Sequence, residues 1–202
     1  MSYLSRLLLI CASLSLSLSL LAACGSKSES RKNDIDLMGP QIQTGKTADG
    51  LVVEYLDADG DGQPDIIRYF EEFEDPRDPQ RTRRRLRRME IDANTDGKIN
   101  VRRHYDEFGN VQREENDMNL DGEMDSIIYF VGGERARKEL YDTETGQIIE
   151  RRIYYDGALV RVEKDLNRNG NVDSWEYYED GILMRIGRDT VGDGAADTWQ
   201  LR

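Results

Sequence analysis

From Leu51 onward the chain alternates short apolar and aromatic runs with polar, glycine-bearing stretches. The runs are IIRYF (66–70), VRRHY (101–105), SIIYF (126–130), SWEYY (174–178) and TWQLR (198–202). They are rich in β-branched and aromatic residues, and turn residues interrupt them too often for helices of ordinary length. The pattern predicts strands. Residues two apart on a strand share a face, so Ile67/Tyr69, Ile127/Tyr129, Trp175/Tyr177 and Trp199/Leu201 form apolar pairs, with Arg102/His104 as the exception. Glu107–Asn110, Gly132-Gly133, Asp156-Gly157 and Asp180-Gly181 permit positive φ and predict tight hairpin turns. A second strand then carries Leu51, Leu86, Val111, Leu159 or Leu183, followed two residues later by Val53, Arg88, Arg113, Arg161 or Arg185. The aromatic and apolar positions are expected to form the hairpin core. The fold class expected is all-β: hairpins in an elongated or curled sheet, with propeller-like closure as the alternative.

Between the hairpins a nine-residue stretch recurs at Asp57–Asp65, Asp92–Asn100, Asp117–Asp125, Asp165–Asp173 and Asp189–Asp197. Aspartate or asparagine stands at positions 1, 3, 5 and 9, and glycine always at 6; only Val191 breaks the rule at position 3. Oxygen side chains at alternate positions of a tight loop suit a hard cation such as calcium, which takes six to eight oxygen ligands. Position 7 is expected to offer its carbonyl, and the glycine makes a turn that a Cβ would hinder. The candidate ligands are Asp57, Asp59, Asp61 and Asp65; Asp92, Asn94, Asp96 and Asn100; Asp117, Asn119, Asp121 and Asp125; Asp165, Asn167, Asn169, Asp173 and Glu176; and Asp189, Asp193 and Asp197. The Asp57 loop is the richest in carboxylates and the Asp117 loop comes next. Several calcium ions are expected, and no other cofactor.

The first aspartates lie 35, 25, 48 and 24 residues apart, which a 24-residue unit explains if 35 holds an insertion and 48 holds two units. A decayed loop, Asp142-Thr143-Glu144-Thr145-Gly146, fills the wide gap, and another stands at Asp34–Gly39. The count is about seven units, five intact and two degenerate. Such a period indicates an array in which neighbours stabilise one another. The insertion, at about 71–85, joins an acidic run (Glu71, Glu72, Glu74, Asp75) to a basic one (Arg81, Arg83, Arg84, Arg85). It is expected to be a solvated loop whose halves neutralise each other, with a docking patch for an anionic partner as the alternative.

Composition narrows the function. Hydrophobic residues make up 38% and charged residues 34%, so any core is thin. A net charge of −12 argues against nucleic acid as a partner and for cations. One histidine and two cysteines, Cys11 and Cys24, leave no zinc site of the nitrogen or sulfur type in the body. No nucleophile elbow, phosphate loop or paired metal-hydrolase histidines are present. The expectation is a protein that is not an enzyme, since its carboxylates are periodic where a catalytic pair would be unique. An envelope hydrolase with a glycosidase-like carboxylate pair is the alternative from the enzyme class.

The N-terminus has the form of a secretion signal: a charged start, an apolar run and small residues at the end. Leu21-Ala22-Ala23-Cys24 resembles a bacterial lipobox. The resemblance implies cleavage of residues 1–23 and lipidation of Cys24, and Gly25 after it favours the outer membrane. Residues 24–40 then comprise the lipidated cysteine, a flexible tether and the degenerate first loop, and residues 41–202 the repeat domain. The Asp165 loop, with Glu176 at position 12, resembles an EF-hand loop, and the other four resemble the shorter calcium loops of thrombospondin type 3 repeats and integrin-type propellers. These resemblances imply a lipid-anchored calcium-binding protein of the cell envelope with a structural or interaction role. Its partners would be the membrane and an envelope protein or polysaccharide. A calcium-dependent adhesin or assembly subunit is the alternative.

Overall fold

A computed structural model describes residues 41–202. The leader, Cys24, the tether and the degenerate loop at Asp34 lie outside the described residues. The strands are β1 (Gln41–Lys46), β2 (Val52–Asp57), β3 (Ile66–Asp75), β4 (Asp78–Ile91), β5 (Val101–Tyr105), β6 (Val111–Asn116), β7 (Ser126–Val131), β8 (Glu134–Tyr141), β9 (Ile148–Tyr155), β10 (Ala158–Lys164), β11 (Ser174–Glu179), β12 (Ile182–Arg188) and β13 (Thr198–Leu201). Each pairs antiparallel with its chain neighbour, so all thirteen form one open sheet in the order β1 to β13. The all-β class is as expected. Propeller-like closure is not what the chain adopts: pairing runs on through one sheet, with β1 and β13 at its two edges, and is never partitioned into blades.

In such a meander, successive connections fall at opposite ends of the strands. All five nine-residue loops and the Asp142 loop therefore gather at one end, and the short hairpin turns at the other. The turns form where glycine pairs and Asp-Gly predicted them. Asp156 and Gly157 have φ of 47° and 74°, and Asp180 and Gly181 have 51° and 77°. Two successive positive φ values match the right-handed twist of the flanking strands.

Near the turn end, five hairpins carry a register shift: between Tyr69 and Phe70, His104 and Tyr105, Tyr129 and Phe130, Leu159 and Arg161, and Tyr177 and Tyr178. Each puts one extra residue in the even-numbered strand, which turns the following side chain to the other face. Leu86 and Arg88, two apart in sequence, consequently lie on opposite faces, opposite Phe70 and Tyr69 respectively. The residue after each extra one is an arginine: Arg88, Arg113, Arg137, Arg161 or Arg185. Arg88, Arg137 and Arg185 lay their guanidinium groups over Tyr69, Tyr129 and Tyr177 at 3.8, 4.2 and 4.4 Å from the ring centroids.

Two residues beyond four of these arginines stands a buried glutamate: Glu90, Glu115, Glu139 and Glu163. Cross-strand register brings Arg102 between Glu90 and Glu115, and Arg151 between Glu139 and Glu163. Arg102 donates through Nε to Glu90 at 2.7 Å and through Nη1 to Glu115 at 2.9 Å. Arg151 does the same to Glu139 at 3.1 Å and Glu163 at 2.9 Å. Burial alone would raise the pKa of Glu90 and Glu139. The hydrogen bonds from Arg102 and Tyr69, and from Tyr141 and Arg151, outweigh it, so both carboxyls lie below their ordinary value.

The apolar core is correspondingly thin. Among the described residues, only Val52, Val53, Ile128, Val162 and Ile186 are buried apolar side chains. The predicted pairs Ile67/Tyr69, Ile127/Tyr129 and Trp175/Tyr177 are half-buried, and Trp199 and Leu201 are exposed. A single-layer sheet has no second layer to cover them, so arginine stems and rings cover one another instead.

The insertion is not a loop. β3 and β4 extend as a two-stranded ribbon, with Glu71 opposite Arg85, Glu72 opposite Arg84 and Phe73 opposite Arg83. β2 stops pairing at Phe70, and β5 begins at Arg88. The acidic and basic runs do neutralise each other, but across strands. Arg85 bonds Glu71 at 2.9 Å, Arg84 bonds Glu72 at 3.1 Å, and Arg83 bonds Asp75 at 2.7 Å.

Candidate metal centre

The five loops share one backbone course. Glycine at position 6 is left-handed in each: Gly62, Gly97, Gly122, Gly170 and Gly194 have φ between 84° and 98°. Position 4 is left-handed too, at Gly60 and Gly192 but also at Thr95, Leu120 and Arg168. The sequence pattern does not mark this second position, because three of its occupants are not glycine. The double turn aims backbone N–H groups at the first aspartate. Gly62, Gly97, Gly122, Gly170 and Gly194 donate to Oδ2 of Asp57, Asp92, Asp117, Asp165 and Asp189 at 2.7–2.9 Å. From position 9, an oxygen of Asp65, Asn100, Asp125, Asp173 or Asp197 accepts the N–H of position 2 at 2.5–3.0 Å.

The loops are also tied to one another. The carbonyl of Asp65 accepts the N–H of Asp92, and the carbonyl of Asn100 accepts that of Asp117, both at 2.8 Å. Lys98, at position 7, reaches across to donate to the carbonyl of Asp121 at 2.7 Å. Its stem lies against Gly122, where an added Cβ would meet Lys98 Cδ at 2.8 Å. Gln63 packs on Gly97 in the same way. At Gly97 and Gly122 glycine is thus required twice, by φ and by the neighbouring loop's side chain; at Gly62, Gly170 and Gly194 φ alone requires it.

The loops differ in what their oxygens face. Asp57, Asp59 and Asp61 each bring a carboxylate oxygen to within 4.8 Å of the others, and no other such group of acidic, histidine or cysteine side chains occurs among the described residues. Ligands across a calcium shell of 2.3–2.6 Å stand about 5 Å apart, so these three fit one such ion. In the Asp117 loop, Asp125 Oδ1 is buried without a hydrogen-bond partner, which fits a cation. There Asn119 donates to Asp121 at 2.9 Å. The N–H of Glu123, and then the Asn119 amide, hold the Asp121 carboxyl below its ordinary pKa.

The remaining loops fit a cation less well. Asn100 uses its oxygen on Ala93 and leaves a buried Nδ2 donor unpartnered, where a carboxylate would offer a second acceptor. Asn94 donates to Asp96 at 3.0 Å. Asn167 donates to Asp173 at 2.9 Å, which occupies a position-9 oxygen. Glu176 lies on β11, where its oxygens accept from Lys164 at 2.7 Å and Tyr178 at 2.8 Å. Its carboxylate is committed to the sheet face, not to the loop. Thr190 donates to Asp197 at 2.8 Å, which occupies a position-9 oxygen. The N–H groups of Gly192 and Gly194 hold Asp189 below its ordinary pKa.

No protein-family model matches the chain, and no curated protein matches it in sequence. Solved structures resemble part of it, three of them as follows. A TarM mutant from S. aureus, solved with fondaparinux, α-GlcNAc-glycerol and UDP, matches 57% of this chain at 11% identity and a TM-score of 0.39. Accessory secretory protein 1, 2 and 3 of Streptococcus pneumoniae matches 60% at 15% identity and 0.31, and the Gap123 glycosylation-associated complex of Streptococcus agalactiae 63% at 17% and 0.23. The match spans 21%, 19% and 19% of those chains. Likeness at this level assigns neither a family nor an activity.

Proposed function

We propose that the protein is a lipid-anchored, calcium-binding repeat protein of the bacterial cell envelope, with a structural or interaction role and no catalytic activity. The observation that carries this reading is the row of like-built loops along one end of the sheet, with Asp57, Asp59 and Asp61 already gathered. In this reading about seven 24-residue hairpin units, two of them degenerate, form an array that Cys24 anchors to the outer membrane. Asp57, Asp59, Asp61 and Asp65 would hold one ion, and Asp117, Asn119, Asp121 and Asp125 another. A bound ion supplies positive charge where several carboxylates repel one another, so binding and folding are coupled. Formal charge supports this: with the leader and its Arg6 removed, the five loops carry all of the chain's net negative charge and the rest is neutral. The buried glutamates outside the loops are already paired with arginines, which supports a binding role over an acid–base one.

Thermal melts of the purified chain with calcium, and then with excess chelator, test the reading. One site filled at a hundred times its Kd adds about 2.7 kcal/mol, so a large, reversible rise in Tm is expected; no shift overturns the proposal. Calorimetry ranks the sites. Asp57→Ala and Asp121→Ala weaken calcium binding more than Asp193→Ala, and equal losses would refute the ranking.

A second reading, a calcium-dependent adhesin or assembly subunit, is favoured by the ribbon at 71–87. Beyond Phe70 its strands pair only with each other, and Asp78–Arg84 is exposed. Deleting residues 71–85 leaves calcium binding intact and abolishes capture of the partner if this reading holds.

A further inference from the structure

Strand register aligns arginines in one row across the sheet. Arg88, Arg113, Arg137, Arg161 and Arg185 stand on alternate strands from β4 to β12. Between them, directly opposite in register, stand His104, Tyr129, Ile153 and Tyr177. Neighbouring strands are about 4.8 Å apart, so the arginines recur roughly every 9.6 Å. The carboxylates that pair with this row are less accessible than it is. Glu90, Glu115, Glu139 and Glu163 are buried, whereas the side chains of Arg88, Arg113, Arg137 and Arg161 are 35–44% exposed. Arg102 and Arg151 share the same glutamates, so positive charge is in excess and faces solvent. At the β12 end Gly187 stands where the other strands have glutamate, and Arg185 pairs with no carboxylate among the described residues. It lies over the rings of Tyr177 and Trp199, at 4.4 and 4.9 Å.

We infer that this row is a binding track for a linear acidic glycan with one carboxylate per disaccharide. The disaccharide repeat of such a chain is close to two strand spacings long, so each carboxylate meets one guanidinium, whose fork matches it. The uncharged sugars then lie over the half-buried Tyr129, Ile153 and Tyr177. Stacking on Tyr69, Tyr129 and Tyr177 already holds Arg88, Arg137 and Arg185 in place, so little side-chain freedom is lost on binding. Nucleic acid fits less well: its phosphates follow at about 3.4 Å along each strand of a duplex, and the acidic loops repel charge of that density. The inference takes from the proposed function only its interaction role, and calcium is not needed for it.

Calorimetry of the full chain with a hyaluronan decasaccharide, which has as many carboxylates as the row has arginines, tests it. Neutral dextran and an oligothymidylate serve as controls. Hyaluronan is expected to bind, a tetrasaccharide more weakly, and both less as salt is added; the controls are expected not to bind. Arg185→Gln, which leaves every buried glutamate its arginines, weakens binding about two- to fivefold, the worth of one exposed ion pair. Exposed Glu134 and Glu179 lie on the same face, nearer the turns. Glu134→Gln/Glu179→Gln therefore binds more tightly, a gain that misfolding cannot produce. No binding of hyaluronan, equal binding of the oligothymidylate, or unchanged affinity in both variants overturns the inference. Hyaluronan binding without a calcium-induced rise in Tm overturns the calcium reading and leaves this inference standing; the converse result does the opposite.

Discussion

The glutamates of the sheet face and the aspartates of the loops carry the same charge in opposite circumstances. Glu90, Glu115, Glu139 and Glu163 are buried, and each has one arginine partner two residues earlier on its own strand and another delivered by strand register. Asp57, Asp59 and Asp61 stand together with backbone N–H groups as their main partners. On the face the counter-charge is built into the fold; at Asp57, Asp59 and Asp61 no arginine or lysine among the described residues supplies it, and in the proposed reading calcium does. Asp142 lies between the two cases: it occupies a loop, yet it is paired as the face glutamates are. A carboxylate cluster is therefore a statement about cations only where register has supplied no arginine.

Three changes would break or sharpen that contrast. The largest effect is expected from Arg151→Met, which leaves Glu139 and Glu163 buried without their shared partner. Losing one member of a buried pair costs about 3–5 kcal/mol; Arg151 is 32% exposed and Glu139 keeps Arg137, so about 2–3 kcal/mol is expected after allowing for solvent screening. Denaturant melts should show the same loss with calcium and with chelator. A loss confined to one condition would mean that face and loops are not separate.

A smaller effect, of about 1–2 kcal/mol, is expected from Gly122→Ala. The cost of the left-handed backbone for a residue with a Cβ sets this figure, and Lys98 must also move aside. The same substitution should weaken calcium binding, because Gly122 donates to Asp117. Unchanged binding would separate loop shape from loop function.

The smallest and most gradual effect is that of pH. Glu90 and Glu139 have carboxyls below the ordinary value of 4.5. Their contribution is present above that value and is lost as the pH falls through the lowered one. His104, 3.2 Å from Glu115, is lowered from 6.5 by its burial, against the pull of Glu115. The unfolded chain protonates it first, so a smaller loss begins as the pH falls through 6.5. Melts at successive pH values should show a shallow step followed by a steeper one below 4.5. Stability that rises on acidification would contradict the face assignment.

The strands, the turns at Asp156-Gly157 and Asp180-Gly181 and the boundaries of the five loops were legible because each is a local matter. A strand shows in β-branched and aromatic residues, a turn in residues that tolerate positive φ, and a loop in oxygen side chains around a glycine. The pairing arginines were half legible. Arg-x-Glu recurs at Arg88, Arg113, Arg137 and Arg161, close to one unit apart, but the strand shows no partner until register places Arg102 and Arg151 beside it. Glu176 could be read as a twelfth-position ligand because spacing alone does not say that Lys164 and Tyr178 hold its oxygens on β11. The insertion could be read as a loop because nothing within it says that its acidic and basic halves face each other across two strands. By itself, then, the sequence determined the element types, the turn geometry and the boundaries of the aspartate- and asparagine-bearing loops, all set within a few residues. The tertiary structure alone decided which buried carboxylates receive an arginine from another strand or loop, as Glu139 does from Arg151, 12 residues on, and Asp142 from Arg168, 26 residues on.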